Sequence, residues 1–407
     1  MSSLRLEKIL MPSYEIQWLI MAVHWLHVIV VIPWIGASFY IISWENKFNR
    51  IENLRPNIEG DFWTMQGGDF YSVEKLRNPP RQLPERLHLF RYEAYLTWLS
   101  GFALMCLSFY LDPSSRMIDK RVAEISPPTS ILISISSLVL CWVLYDLYCR
   151  TRLARRLRIS AAIGLLALTG LSYLFTRIFG ERAAFIQVGA VMGTIMSGNV
   201  FFAIIPWHKK VIRAIQKGEP VDLLYAQRPG FRSRHNHYMT FPILFVMLGG
   251  HFPAVFSHPH NWAVLTGVAF SAGLLKHYHN LVQRRQPGLG FLIAGIVVFV
   301  GVAYASSRAT THAVTCVERV SFAEPHRIIS THCVSCHSAL PTERTMAAAP
   351  MGIQFDTPQQ IVAHSERIFE RAVMTRTMPL GNKSGMTLED RRLLGCWIQD
   401  GAHISER

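Results

Sequence analysis

Long apolar runs separated by short polar or basic stretches dominate the first three quarters of the chain. Runs that suit a bilayer crossing, which takes about 20 helical residues, fall at 16–43, 93–111, 129–148, 159–176, 183–206, 239–256, 262–280 and 287–306. The pattern predicts eight transmembrane helices, since a backbone in lipid must satisfy its own hydrogen bonds. The first run follows a short polar leader with no small-residue cleavage site, so it reads as a retained helix.

Near residue 308 the pattern changes. The mixed stretch "ASSRATTHAVTCVERVSFAEPHR" marks a boundary between a membrane part, 1–308, and a small helical domain, 309–407. In the second part Thr357-Pro358-Gln359-Gln360 has the form of a capping box with proline at the first helical position. A later helix starts after Thr387 and places Leu393, Leu394, Trp397 and Ile398 on one face.

Composition agrees with lipid: 50% of residues are hydrophobic and only 17% are charged. A net charge of +14 would suit nucleic acid if it were clustered on one surface, but it is distributed over alternate loops. Lys and Arg number 8 in 44–92, 5 in 149–158, 7 in 207–238 and 3 in 276–286, against 3, 2 and 0 in 112–128, 177–182 and 257–261. The positive-inside rule makes the first set cytoplasmic. Eight spans then put both termini on the opposite side, the periplasm of a bacterial inner membrane.

The soluble part carries "HCVSCH", in which Cys333, Cys336 and His337 form C-x-x-C-H. Two thiols can bond the haem vinyl groups while the adjacent imidazole binds iron, so one covalent haem c is expected. Covalent attachment belongs to the same oxidising compartment that the charge pattern assigns to this domain. Met378, followed by proline in the loop "TRTMPLGNKSGMT", is the expected second axial ligand, with Met374 and Met386 as competitors. Cys316 and Cys396 remain on the oxidising side and could pair, whereas Cys106, Cys141 and Cys149 read as apolar filler. The chain contains neither an internal repeat nor a phosphate-binding glycine loop.

Histidine within a span needs a partner and is a site candidate by default. His24 and His27 lie on one face of the first span, and His251 ends the sixth in "MLGGHFP", so these fall in the outer half of the bilayer. His27 and His251 could hold a haem b or another metal between their helices. A second group, His88, His208, His235, His237, His277 and His279, falls near the cytoplasmic ends. The loop 44–92 mixes Trp63, Phe70, Tyr71 and Phe90 with Lys75, Arg77, Arg86 and Arg91, which suits either a planar anion or an amphipathic helix on lipid headgroups.

The stretches "WLHVIVVIPWIGASFY", "GGDFYSVEKL", "HLFRYEAYLTWLSGFAL", "GTIMSGNVFFAIIP", "RSRHNHYMTFPILFVM" and "GGHFP", with the C-x-x-C-H domain, resemble the bacterial membrane-bound urate oxidases fused to cytochrome c. The resemblance implies an all-α architecture, a polytopic bundle followed by a class I-like cytochrome c domain. It implies oxidation of urate to 5-hydroxyisourate, with electrons passing to the fused haem c and on to a soluble cytochrome c or terminal oxidase, without peroxide release. On matching motifs it carries over His27, His88, His235, His251 and His277. His88, His235 or His277 would serve as base, and Arg86 or Arg91 would pair with the anion. "IIPWHKK" departs from the expected polar turn and sets His208 apart. The rival readings are a non-catalytic b- and c-type cytochrome fed by quinol or a partner dehydrogenase, and a transporter with a redox sensor.

Overall fold

A computed structural model of the protein describes residues 13–50, 54–221, 223–309, 316, 319–343, 346 and 348–404. The leader and most of the boundary stretch after 309 lie outside the described residues.

Long helices occupy all eight apolar runs: α1 (Ser13–Lys47), α2 (Tyr92–Met105), α3 (Pro127–Cys149), α4 (Leu157–Thr176), α5 (Glu181–Gly198), running through a π segment (Asn199–Ile204) into α6 (Ile205–Gln216), then α7 (Leu223–Gly249), α8 (Asn261–Gln283) and α9 (Leu289–Ala309). Five stretches are long and apolar enough to cross a membrane: Glu15–Lys47, Pro127–Cys149, Leu157–Thr176, Glu181–Gln216 and Leu289–Ser307. The others are interrupted or more polar. A π turn (Cys106–Tyr110) follows α2, while α7 carries Arg232, Arg234, His235 and His237, and α8 carries Lys276, His277 and His279.

Local chemistry sets the helix starts. Ser126 caps α3, accepting from the Thr129 amide at 3.3 Å, and Pro127 takes the first turn where its missing N–H costs nothing. The α5–α6 rod is the centre of the bundle, with 61% of its most apolar window buried, against 6% for α1 and α9 at the rim. Phe175, Phe179, Phe185, Val188, Val191, Val246 and Leu265 fill the core around it. Rim helices turn Trp25, Ile32, Ile293 and Val297 outward, an apolar surface that water would not favour.

One element departs from the all-helical expectation. Inside 44–92 the chain forms an antiparallel hairpin, β1 (Ile58–Gln66) with β2 (Asp69–Leu76), in which Trp63 pairs Ser72 and Gln66 pairs Asp69. Gly67 and Gly68 make the two-residue turn with φ of 63° and 95°, values that glycine adopts without a Cβ clash. Aromatic and β-branched residues on either side favour extended backbone over helix. The hairpin lies at the bundle end where α1 finishes, tied there by a bridge between Asn49 and Asp61. Asn46 of α1 donates to Gln283 of α8 at 3.0 Å at the same end. We call this the hairpin end.

The C-terminal domain sits at the other end. Its core gathers Ile328 and Ile329 of α10 (Ala323–His332), Ile361 of α11 (Pro358–Ala363), Met386, and Leu394 and Trp397 of α12 (Leu388–Gln399). Capping boxes at Thr357 with Gln360 and at Thr387 with Asp390 start α11 and α12. Cys316 and Cys396 form a disulfide with Cα atoms 5.5 Å apart, settling the pairing that spacing left open.

Candidate functional site

The first candidate region is the C-x-x-C-H turn. Cys333 caps the C-terminal end of α10, and Cys333 and Cys336 are both free thiols. Burial, with the neighbouring Cys336, pushes the Cys333 thiol up to about 12. The Nδ1 of His337 lies 3.0 Å from the Ile353 carbonyl, to which it donates, so the proton is fixed on Nδ1 and Nε2 is left to bind a metal. Met386 is buried in the domain core at 3% exposure, whereas Met378 is half-buried in an irregular loop. Arg391 clamps that loop: its Nη1 donates to the carbonyls of Ala372 and of Met378, the latter at 2.7 Å, and Nη2 donates to Asn382 at 3.1 Å. Burial, with the adjacent Arg121 and Arg376 cations, brings the Arg391 guanidinium down to about 10, so it stays charged at neutral pH. Two thiols, an oriented imidazole and a methionine whose loop backbone is held are the residue types that fit a covalent haem c.

This loop is also where the domain meets the bundle. Gly381 has φ of 60°, and a Cβ there would come within 2.7 Å of the Ser115 carbonyl and 3.0 Å of that of Ile118. Glycine thus lets the methionine loop lie backbone against backbone on the turn Pro113–Arg116 between α2 and α3. Arg376 and Arg391 reach this seam within electrostatic range of Glu181, the first residue of α5.

At the same domain end stand the outer histidines. His27 shares a hydrogen bond through Nδ1 with Ser100 at 2.9 Å, and its ring packs over Gly101, where a Cβ would lie 3.1 Å away. His251 is exposed, within electrostatic range of His24 and Arg182. Among the described residues no three His, Cys, Asp or Glu side chains converge as a metal site.

The hairpin end holds two buried polar groups of contrasting character. In one, Arg232 of α7 is 4% exposed and donates to Asn199 at 2.9 Å and Asp146 at 2.6 Å. Asn199 opens the π segment and donates on to Tyr145 at 3.1 Å and Asn236 at 2.8 Å. His235 completes the group, with Nδ1 2.9 Å from the Tyr145 hydroxyl and Nε2 3.1 Å from both Ser160 and the Ala154 carbonyl. Both ring nitrogens are engaged.

In the other group, Lys276 of α8 is fully buried and its Nζ has no hydrogen-bond partner among the described residues. It rests 3.6 Å from the Phe39 ring centroid and 5.1 Å from that of Phe241. Such a cation–π contact is worth about 2 kcal/mol when desolvated, less than the several kcal/mol, on the order of 5, that a buried charge costs. His237, 2% exposed, faces the same Phe39 ring at 5.4 Å between centroids, and its Nδ1 is likewise unpartnered. From His237 a chain runs through Asn280, at 3.4 Å, and Tyr238, at 3.3 Å, to Nδ1 of His277, at 3.0 Å.

The remaining sequence candidates lie apart. Arg86 and His88 are exposed between the hairpin and α2, His88 being 3.6 Å from Glu93. Arg91 stacks on Tyr92 with its Cζ 4.5 Å from the ring centroid. Among the described residues no hydrogen bond or ring contact joins these three to His235 or His277. Sequence reasoning passed over Lys276 and Arg232, counting both as loop charge. The available signal was a basic residue placed inside an apolar helical run.

No curated protein and no solved structure matches the chain. A family description does match, the N-terminal region of urate oxidase, over residues 13–307. That stretch takes in the whole bundle, both buried groups and the seat of the methionine loop, and on this ground the chain belongs to the urate oxidase N-terminal family.

Proposed function

We propose that the protein is a membrane-bound urate oxidase that converts urate to 5-hydroxyisourate and passes the electrons to a haem c in its own C-terminal domain, and from there to a respiratory acceptor. The overall step takes urate and water to 5-hydroxyisourate, two protons and two electrons. The observation that carries this reading is the seam at Gly381: a domain equipped for haem is seated by its methionine loop on a bundle of the urate oxidase family.

In this reading all eight helical rods cross the bacterial inner membrane, with the hairpin end in the cytoplasm and the C-terminal domain in the periplasm. The loop charges support that orientation, and so does the disulfide Cys316–Cys396, a bond at home in an oxidising compartment. Cys333 and Cys336 would hold the haem covalently, and His337 and Met378 would bind its iron. When bound, the haem takes one electron at a time at a potential raised by thioether ligation.

The chain's own residues do the rest. Arg391 holds the backbone of the Met378 loop and the Ile353 carbonyl orients the His337 ring. At the hairpin end, the hydrogen-bonded series His237, Asn280, Tyr238, His277 links α7 to α8, and within it Tyr238 can hand a proton to His277 Nδ1. Of the three candidate bases, His277 is the one hydrogen-bonded to this series; His88 is solvent-exposed and His235 has both nitrogens engaged.

The test is anaerobic. Purified oxidised holoprotein mixed with urate alone should develop the reduced haem c band and yield 5-hydroxyisourate. Reduction by quinol and not by urate would replace this reading with that of a cytochrome relay.

A further inference from the structure

The unpaired group at the hairpin end points to a ligand of definite chemistry. Asn280 presents Oδ1 to Nε2 of His237 and donates through Nδ2 to Tyr238. The proton of the His237 ring therefore sits on Nε2, and Nδ1 carries a bare lone pair. Beside it, Lys276 offers three N–H donors and a positive charge with nothing to receive them. Two neighbouring buried side chains, both against the Phe39 ring, thus lack an anionic acceptor and an N–H donor.

We propose that Lys276 Nζ and His237 Nδ1 together form the seat of the urate anion. This inference rests on the urate reading above and deepens it by assigning the substrate's place. A urate monoanion presents, along one edge, carbonyl or deprotonated ring positions next to ring N–H groups. It meets both unmet needs at once: negative charge on the Lys276 ammonium and an N–H donating to His237. A neutral purine leaves the ammonium uncompensated, and a simple carboxylate leaves Nδ1 unmet.

Phe39 supplies the third element. Its ring faces His237 and Phe241, the latter at 5.7 Å and nearly parallel, while Lys276 lies on its face. The lysine stem is flexible, so the ammonium can move to the edge of a planar anion that takes its place over the ring. Access comes from the hairpin end. His279 and Gln283 follow Lys276 along α8 at three and seven residues, on the same side of the helix. Gln283 is hydrogen-bonded to His279 at 2.9 Å and to Ser43 at 3.2 Å, so a polar stripe leads from the helix end toward the buried cation.

The experiment is equilibrium dialysis of radiolabelled urate against full-length holoprotein kept fully reduced with dithionite, so that binding is read without turnover. Wild type should bind urate saturably. Lys276→Met should weaken it by at least about 30-fold while haem content and elution in detergent stay as in wild type. Lys276→Arg, which keeps the charge, should retain most of the affinity. His237→Asn should give an intermediate loss and also serves if Lys276→Met does not fold. Wild-type binding with undiminished affinity in Lys276→Met, or in His237→Asn where the lysine variant is unfolded, overturns the seat and leaves the urate reading intact. Absence of urate binding and of urate-driven haem reduction in wild type overturns the urate reading, and the seat with it.

Discussion

Two buried cations stand in the same half of the bundle, and the difference between them separates structure from site. Arg232 is bonded through both Nη atoms to Asp146 and Asn199, with its Nε alone unmet among the described residues, and its neighbours Tyr145, Asn236 and His235 are themselves bonded. Lys276 has the faces of two phenylalanines and, beside it, an imidazole nitrogen equally without a partner. A buried polar network that is nearly complete fixes helix positions, because breaking it strands a charge. An incomplete one costs stability unless something else supplies the partner. The first therefore acts as a joint between α3, α5, α6 and α7, and the second as a receptor.

The largest effect expected from this contrast is on stability. Arg232→Met strands Asp146 with only the exposed Arg150 as partner and should lower stability by about 4 kcal/mol, seen as a lost or much earlier thermal transition in detergent. Lys276→Met should do the reverse: melting unchanged or raised, because an uncompensated charge is removed, with urate-driven haem reduction down about 100-fold. If both variants behave alike, the distinction between joint and receptor fails.

The two neighbouring histidines of α7 sharpen the comparison. His235→Ala removes a side chain whose nitrogens meet Tyr145, Ser160 and Ala154, and should cost about 2 kcal/mol of stability by thermal melting. His237 has one bond and one open nitrogen, so its replacement by Asn should show in urate affinity first. The smallest effect expected is at the seam with the C-terminal domain. Gly381→Val costs about 1–2 kcal/mol for the positive φ alone, and its Cβ pushes the methionine loop away from the Ser115 carbonyl. Slower urate-driven reduction at unchanged urate affinity and haem content would be its signature.

Much of the bundle was legible because lipid imposes a simple rule on sequence. The run 159–176 became Leu157–Thr176, and 129–148 became Pro127–Cys149. The α5 run overshot its expected end, continuing through Asn199–Ile204 into α6, whose Lys209, Lys210 and Arg213 mark a basic face rather than an apolar span. The hairpin was missed although Gly67-Gly68 between aromatic stretches is a recognisable turn signal; the charges of 44–92 drew attention to lipid headgroups instead.

Site residues were harder for a physical reason. Sequence shows that a histidine lies in an apolar helix, but not whether its nitrogens are met. His235 and His237 are two residues apart on α7, and only packing separates the engaged ring from the open one. Lys276 was invisible as a site because its burial depends on α1 and α7 closing over α8, with Phe39 and Phe241 coming from distant parts of the chain. By contrast, C-x-x-C-H and the Met-Pro loop stand out in local spacing alone, and the haem proposed for them needs no knowledge of which helices pack together.

The central claim, that an electron leaves urate at the Lys276 group and arrives in the C-terminal domain of the same molecule, is tested most directly by anaerobic mixing of urate with oxidised wild type and with Lys276→Met, followed at the haem c band. Rapid reduction is expected in wild type at a rate independent of protein concentration, and reduction about 100-fold slower in the variant, while ascorbate should reduce both. Equal reduction of the two proteins by urate would contradict it.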